Sequence, residues 1–499
     1  MKYPFGELTL LVFTDIEFTY SRSVKSVPHA EVLPQSLSLD HQQTLQGVSF
    51  SVQKGEWVVL LGANGSGKST LARLANGLLL PNIGEVVVDG ISSWKHDKLP
   101  QLRKLVGLVA QDPDNQIVST TVFDEVAFGP QNLGWEPQRI YTSVSEALNK
   151  VGLPEDEFAK RDPNSLSGGE KQRVVIAAIL AMEPSYIVLD EPTAMLDPAA
   201  RAQVLEAVAL TAEDNHGVLH ITHNLEEAAS ADRVLVLDQG KLVYDGAPEG
   251  ILTDEEALTR YGLFAKPEVE GQLARPSEDN QTEDNQTEDN QLILELSEVS
   301  FSYPSTPKRS LALEECNMTV ATGECHVLVG KSGAGKSTLL SLAAGLLKPG
   351  SGKVRLNNKA PVPGQVGLVF QHPETQLFAQ TLFDDILFGP RNLGTVSKEE
   401  GEELVDSVLT AVGLSPQDFK NRSPFSLSGG EARRSAIATT LALKTDIVLL
   451  DEPTAGLDAR GKVFIYELVQ KLLAEGKGIV IATHDPEYFA SLETERMEL

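Results

Sequence analysis

GANGSGKS at 62–69 and GKSGAGKS at 330–337 decide the fold. The first runs Gly62, Ala63, Asn64, Gly65, Ser66, Gly67, Lys68, Ser69, and the second runs Gly330, Lys331, Ser332, Gly333, Ala334, Gly335, Lys336, Ser337. Each fits G-x-x-x-x-G-K-[ST], follows a short apolar run (57–61 and 326–329) and opens an apolar helical stretch. Strand, Gly-rich turn and helix start form a phosphate cradle: the glycines let backbone N–H groups approach the ligand, and the helix N-terminus adds positive potential. Lys68 and Lys336 are placed to reach the β- and γ-phosphates of a bound nucleotide, with Thr70 and Thr338 following in the helix, while Ser69 and Ser337 are placed to hold Mg²⁺.

Outward from these loops the chain repeats itself. GLVAQDPDNQ at 107–116 matches GLVFQHPETQ at 367–376, and TVFDEVAFGPQNLG at 121–134 matches TLFDDILFGPRNLG at 381–394. SLSGGE recurs at 165–170 and 426–431, LDEPTA at 189–194 and 450–455. A period of about 260 residues is too long for a solenoid and marks duplication of a whole domain. Apolar runs alternate with helical stretches in each copy, which predicts an α/β fold with a largely parallel sheet. The polar stretch between QDP or QHP and SLSGGE predicts a helical subdomain inserted into that core. The domains are expected at 1–266 and 292–499, joined by an acidic, low-complexity linker over 267–291 whose SEDNQTEDNQTEDNQ core has six acids and no apolar residue. About 25 such residues span roughly 25–30 Å, enough for two domains to meet.

The repeated motifs supply a hydrolytic site. Asp190 and Asp451 each end an apolar strand and are placed to bind Mg²⁺; the next residues, Glu191 and Glu452, are placed to polarise an attacking water as general bases. An Asp-Glu after a strand is ordinarily a solvated loop; downstream of a phosphate loop, and twice, it is not. Leu166-Ser167-Gly168-Gly169-Glu170 and Leu427-Ser428-Gly429-Gly430-Glu431 then decide which nucleotide-hydrolysing machine this is. LSGGE resembles the signature of the ATP-binding-cassette (ABC) family, and the resemblance covers both copies. It implies two P-loop NTPase cassettes in tandem, each a RecA-like α/β core with an inserted helical subdomain.

The resemblance further implies that each signature completes the other copy's site: Ser167, Gly168 and Gly169 that of Lys336, and Ser428, Gly429 and Gly430 that of Lys68. ATP would then pair the two cassettes within one chain. It also implies that Gln111 and Gln371 meet Mg²⁺ and the water, that His223 and His484, each 32 residues beyond its glutamate, contact the γ-phosphate, that Asp197 and Asp458 signal across the interface, and that Tyr20 and Tyr303 stack on adenine. Tyr303 lies 27 residues before Gly330, but Tyr20 lies 42 before Gly62, with an apparent inserted loop at 23–37. Copy two reads EARR where copy one reads EKQR, and Gly456 where copy one has Met195. It runs only 15 residues past His484 and is expected to lack the closing hairpin that RVLVLDQGKLVYDG forms in copy one.

Bulk properties narrow the setting. The formal charge of −28 disfavours nucleic acid as a partner. Cys316 and Cys325 make neither a CxxC nor a zinc spacing. No apolar run approaches the ~18–20 residues of a membrane helix. The QxPxxQ and FGP-x-NLG segments are similar to those of the ATPase subunits of energy-coupling-factor (ECF) transporters. That likeness implies a peripheral protein at the cytoplasmic face of the cell membrane, driving uptake of a vitamin or transition-metal ion with a transmembrane coupling subunit and a membrane-embedded substrate-binding subunit. In it Asp112, Asp124, Glu125, Asp384 and Asp385 would face basic residues of coupling helices. Two other readings stay open: a tandem sugar-importer ATPase, which two intact glutamates and the FGP segments disfavour, and a soluble ribosome-associated tandem ABC ATPase, which the acidic linker disfavours.

Overall fold

The computed structural model describes residues 10–20, 44–194, 196–266, 293–303, 312–331, 333–397 and 400–499. The expected linker at 267–291, the inserted loop at 23–37, and Ser332 and Met195 lie outside them. The chain divides into two compact units, the first built mainly from residues up to 264 and the second mainly from 265 onward. No helix of the described residues is long and apolar enough to cross a membrane.

Each unit is built around a short strand buried on both faces. In the first unit this is Trp57–Leu61, WVVLL, with every residue buried. Its alternate residues serve two cores: Val58 and Leu60 pack with the antiparallel sheet, while Trp57, Val59 and Leu61 pack with the helices. Such a strand needs neighbours on both edges and layers on both faces, and a continuous apolar run is the mark of that position. Each buried Val or Leu is worth about 1.5–3 kcal/mol, so a one-residue slip would be costly.

The strand sits inside a six-stranded sheet in which Val106–Val109, Tyr186–Asp190, Gly217–Thr222, Trp57–Leu61 and Arg233–Asp238 run parallel in that order. Lys241–Gly246 returns antiparallel at the edge. A second, antiparallel sheet of Leu45–Gln53, Leu10–Phe18, Ile83–Val88 and Ile91–Ser92 covers one face. Between Val106–Val109 and Tyr186–Asp190 the chain leaves the sheet to form the helices Val122–Asn132, Pro137–Lys150 and Glu155–Phe158, then returns through Gly168–Leu180. That is the inserted helical subdomain.

The second unit repeats the plan with five parallel strands in the order Gly367–Val369, Ile447–Asp451, Gly478–Ala482, Cys325–Val329 and Glu495–Glu498. The sequence reading missed the last of these. Glu495–Glu498 takes the place of Arg233–Asp238 beside the phosphate-loop strand. Its ERME sequence hid it, because three of its four residues are exposed and charge-rich edge strands carry no apolar signal. Among the described residues the counterpart of Lys241–Gly246 has no equivalent in this sheet.

The FGP motif is explained by packing. Gly129 and Gly389 lie where a Cβ would come within 2.5 Å of the Met182 and Leu443 side chains, which cap the end of each signature helix. Pro130 and Pro390 are buried, whereas Phe128 and Phe388 face outward at about half exposure.

Candidate ATP-hydrolysing sites

Parallel register places the functional groups. Leu61 pairs with Thr222, and Asp190 with Ile221, so the residues that follow these strands gather at one sheet edge. In the first unit the turn after Leu61 is the phosphate loop. Gly65 and Gly67 have φ of 81° and 108°, conformations that side chains resist, and a Cβ on Gly62 would meet the Leu237 carbonyl at 2.6 Å. Lys68 curls back over the loop, donating to the carbonyl oxygens of Gly62 at 2.8 Å and Ala63 at 3.1 Å. The second loop repeats this, with Gly333 and Gly335 at φ 80° and 100° and Lys336 donating to the Gly330 carbonyl at 2.7 Å.

Glu191 and Glu452 are the focus of the two sites. Both are buried and both have positive φ, 50° and 47°. That conformation disfavours a non-glycine residue. It is held because the Glu191 N–H donates to the Ile221 carbonyl and the Glu452 N–H to the Ala482 carbonyl, each at 2.9 Å. Around Glu191 lie Lys68 Nζ at 3.6 Å, His223 Nδ1 at 3.3 Å and Gln111 Nε2, donating at 3.4 Å. Around Glu452 lie Lys336 Nζ at 3.7 Å and His484, whose Nε2 sits at 3.2 Å and whose N–H donates at 3.2 Å. The two histidines thus turn opposite ring nitrogens to their glutamates. No hydrogen bond joins Gln371 to Glu452 among the described residues.

These shells set the carboxyls apart. Burial pushes Glu191 up, but the His223 hydrogen bond and the charges of His223 and Lys68 outweigh it and hold the carboxyl below its ordinary range. Burial dominates at Glu452, and with only partial offset from Lys336 its carboxyl is pushed up to about 7.

The neighbouring aspartates fit a divalent cation. Ser69 donates to Asp190 at 3.1 Å, and burial raises the carboxyls of Asp190 and Asp451. Asp451 Oδ1 is buried with no hydrogen-bond partner. A buried lone acceptor next to the Ser337 hydroxyl suits Mg²⁺ at Ser337 and Asp451, as at Ser69 and Asp190.

The tyrosines are placed alike in spite of their unequal spacing. Tyr20 Oη lies 3.1 Å from Thr70 Oγ1, and Tyr303 Oη lies 3.1 Å from Thr338 Oγ1. Each ring meets a phenylalanine edge-to-face, Phe18 at 4.8 Å and Phe301 at 5.0 Å.

The signatures sit apart from these clusters. Ser167 and Ser428 cap the helices Gly168–Leu180 and Gly429–Leu441 through capping boxes with Glu170 and Glu431. The box satisfies the serine and glutamate N–H groups and leaves those of the two glycines at the helix start, a ready anion site. Within each unit no hydrogen bond or ion pair joins the signature to the lysine or glutamate above, among the described residues.

Two features were invisible in the sequence. Glu125 and Asp385, expected to face basic residues of a partner, are buried instead. Glu125 Oε2 accepts from the N–H groups of Val118 and Ser119 at 2.9 and 2.7 Å, and Asp385 Oδ1 from those of Phe378 and Ala379 at 3.2 and 3.1 Å. Asp112 is likewise occupied, capping the turn Pro113–Asn115. The second feature is a buried knot behind the first site. Glu227 accepts from Thr193 Oγ1 at 2.6 Å and faces His220 Nε2 at 3.4 Å and Arg201 Nε at 3.9 Å. It ties the loop after Glu191 to the strand before His223. Copy two has Ile481 and Tyr488 at the places of His220 and Glu227.

Residues 45–194 and 313–455 each match the family model described as ABC transporter. An ABC transporter ATP-binding protein of Bifidobacterium longum is 36% identical over 484 residues, which cover 89% of this chain and 61% of that protein, so the chain spans less than two thirds of that relative. A protein of Bacillus subtilis named for HMP/thiamine import, the ATP-binding protein YkoD, is 34% identical over 498 residues, covering 92% of this chain and 87% of that protein. Among solved structures, cbiO1 from Clostridium perfringens, described as part of the ABC transporter complex cbiONQ, is 30% identical and covers 52% of this chain and 96% of its own at a TM-score of 0.43.

Glu227 gives a stability prediction. Burial raises its carboxyl, yet the His220 contact and the Thr193 hydroxyl hold it well below its ordinary range. A carboxyl depressed in the folded state stabilises at pH values above its unfolded pKa and loses that contribution as pH falls toward the folded value. Glu227→Ala leaves His220 and Arg201 unpaired and should destabilise the first unit by about 3–5 kcal/mol at pH 7. In urea melts of the full chain the gap from wild type narrows below about pH 4.5; a gap independent of pH contradicts this.

Proposed function

The chain belongs to the ABC transporter family, and on that premise we propose that its two cassettes couple ATP hydrolysis to transport as the energy-coupling subunit of an ECF-like importer. One observation carries the finer reading. Both units present the same outward apolar pair, Val118 with Phe128 and Phe378 with Phe388, all at least half exposed. In the second unit the two rings meet edge-to-face at 4.8 Å. The buried carboxylates of Glu125 and Asp385 hold the loops that carry Val118 and Phe378, so the patches are built features of the fold. Such an apolar patch in each unit, built from a loop and the helix that follows it, suits the apolar face of a short helix from a membrane subunit. The cargo class, a vitamin or a transition-metal ion, rests on the FGP-x-NLG likeness and on the thiamine-import name of the Bacillus relative. A separate membrane-embedded protein would select it. The chain would sit peripherally on the cytoplasmic face.

The mechanism follows from the residues. ATP binds with its phosphates along each loop, Lys68 or Lys336 leaving the loop carbonyls for the phosphate oxygens, and Tyr20 or Tyr303 beside the base. Ser69 and Asp190, with Gln111, and Ser337 and Asp451, with Gln371, would hold Mg²⁺, which would supply neutralisation of phosphate charge. The free N–H groups at Gly168 and Gly169, or Gly429 and Gly430, bind the γ-phosphate presented by the other cassette, so two nucleotides close the pair. Glu191 and Glu452 then orient water in line with the phosphorus and take its proton, while His223 and His484 hold the γ-phosphate. The water oxygen bonds to the γ-phosphorus as the bond to the β–γ bridging oxygen breaks, repulsion between the ADP and phosphate so formed reopens the pair, and the partner helices follow.

Glu191→Gln with Glu452→Gln should retain ATP binding, accumulate a closed ATP-bound form and stop transport, read as nucleotide occlusion after rapid gel filtration. Normal turnover in that double variant defeats the assignment. For the membrane role, a pull-down from detergent-solubilised membranes should recover hydrophobic subunits, and Phe128→Ser with Phe388→Ser should reduce that recovery at least tenfold, since each lost ring is worth about 1.5–3 kcal/mol. Recovery of ribosomes in place of hydrophobic subunits overturns the transport reading.

A further inference from the structure

The signature helices differ at one buried position that the mechanism above does not use. Gly168–Leu180 carries Gln172, and Gly429–Leu441 carries Arg433 at the equivalent place. Gln172 is fully buried and its Nε2 has no hydrogen-bond partner. Arg433, 3% exposed, reaches across to the loop after the Ile447–Asp451 strand. Its Nη1 donates to the carbonyl oxygen of Glu452 at 3.0 Å and its Nη2 to that of Ala455 at 3.4 Å. No carboxylate makes a salt bridge with it among the described residues.

A buried guanidinium without an ion pair is costly to desolvate. Burial lowers the Arg433 pKa accordingly. This cation is spent on two main-chain oxygens, and one of them belongs to the residue that bears the hydrolytic carboxylate. Glu452 is held at φ 47° by its N–H bond to Ala482 on one side. Arg433 fixes its carbonyl from the other side and also grips the turn in which the Ala455 N–H bonds the Glu452 carbonyl at 3.2 Å.

We propose that Arg433 is a positioning residue for Glu452, fixing that main chain so that the carboxylate stays beside Lys336 and His484 and so that the seat of the signature helix is felt at the carboxylate. The inference rests on reading Glu452 as a hydrolytic base. Gln172 does not do this for Glu191. The loop after Glu191 is braced instead by Glu227 through Thr193, so the two sites are steadied by unrelated groups.

The test uses the full chain with Arg433→Gln, which installs the copy-one residue, and Arg433→Lys, whose single ammonium can serve one carbonyl. ATPase kcat and KM are measured with and without Glu191→Gln, together with melting temperature. In the Glu191→Gln background Arg433→Gln should lower kcat about tenfold, the equivalent of roughly 1.4 kcal/mol, and leave KM within about twofold. Arg433→Lys should fall between. Unchanged kcat in both variants overturns the proposal. A rise in KM that tracks the loss of kcat and a drop in melting temperature assigns Arg433 a structural role only, and also overturns it. If Glu452→Gln turns over like its parent in the same background, the reading of Glu452 fails and the inference falls with it.

Discussion

Everything in each unit depends on three buried strands ending at one edge in parallel register. Trp57–Leu61, Gly217–Thr222 and Tyr186–Asp190 deliver the phosphate loop, His223 and Glu191 to a single point. Cys325–Val329, Gly478–Ala482 and Ile447–Asp451 do the same for Lys336, His484 and Glu452. Burial on both faces fixes that register, because a slipped strand would turn core residues toward the wrong layer. The same burial desolvates the glutamates, so the hydrophobic constraint that builds the sheet also creates the electrostatic conditions for handling a charged phosphate.

The duplicated sites share a plan but not a balance of forces. Glu191 has a histidine, a lysine and a glutamine around it, and the positive neighbours win over desolvation. At Glu452 burial is offset only in part by Lys336 and the His484 N–H, with Asp451 and Asp485 adding to it, and desolvation wins. Behind Glu191 stands a buried carboxylate knot; behind Glu452 stands a buried guanidinium. A duplicated domain can keep its reacting groups and still change what steadies them, because those supports face the interior and need only fill space and satisfy polar atoms.

The α/β class and the tandem cassettes were legible because phosphate loops, strand-terminal Asp-Glu pairs and capping-box signatures are local patterns, each readable within about ten residues. What escaped the sequence is long-range or masked by chemistry. Glu227 and His220 look like ordinary helix and strand residues until folding closes the 34 residues between Thr193 and Glu227. Arg433 reads as one more charge in EARR, yet it is buried. Glu125 and Asp385 read as surface acids because they lie in acidic runs, but backbone N–H groups of the preceding loop draw them inward. The uneven spacing of Tyr20 and Tyr303 obscured an equivalence that the two tyrosine–threonine contacts make plain.

The central claim is that each chain carries two nucleotide sites, each with its own loop, lysine, aspartate and glutamate. Equilibrium binding of a non-hydrolysable ATP analogue to the purified full chain, counted with Mg²⁺ present, tests it most directly. The account predicts two nucleotides per chain, falling to one with Lys68→Ala or with Lys336→Ala. A single nucleotide on the wild-type chain, or a count that either substitution leaves unchanged, would contradict it.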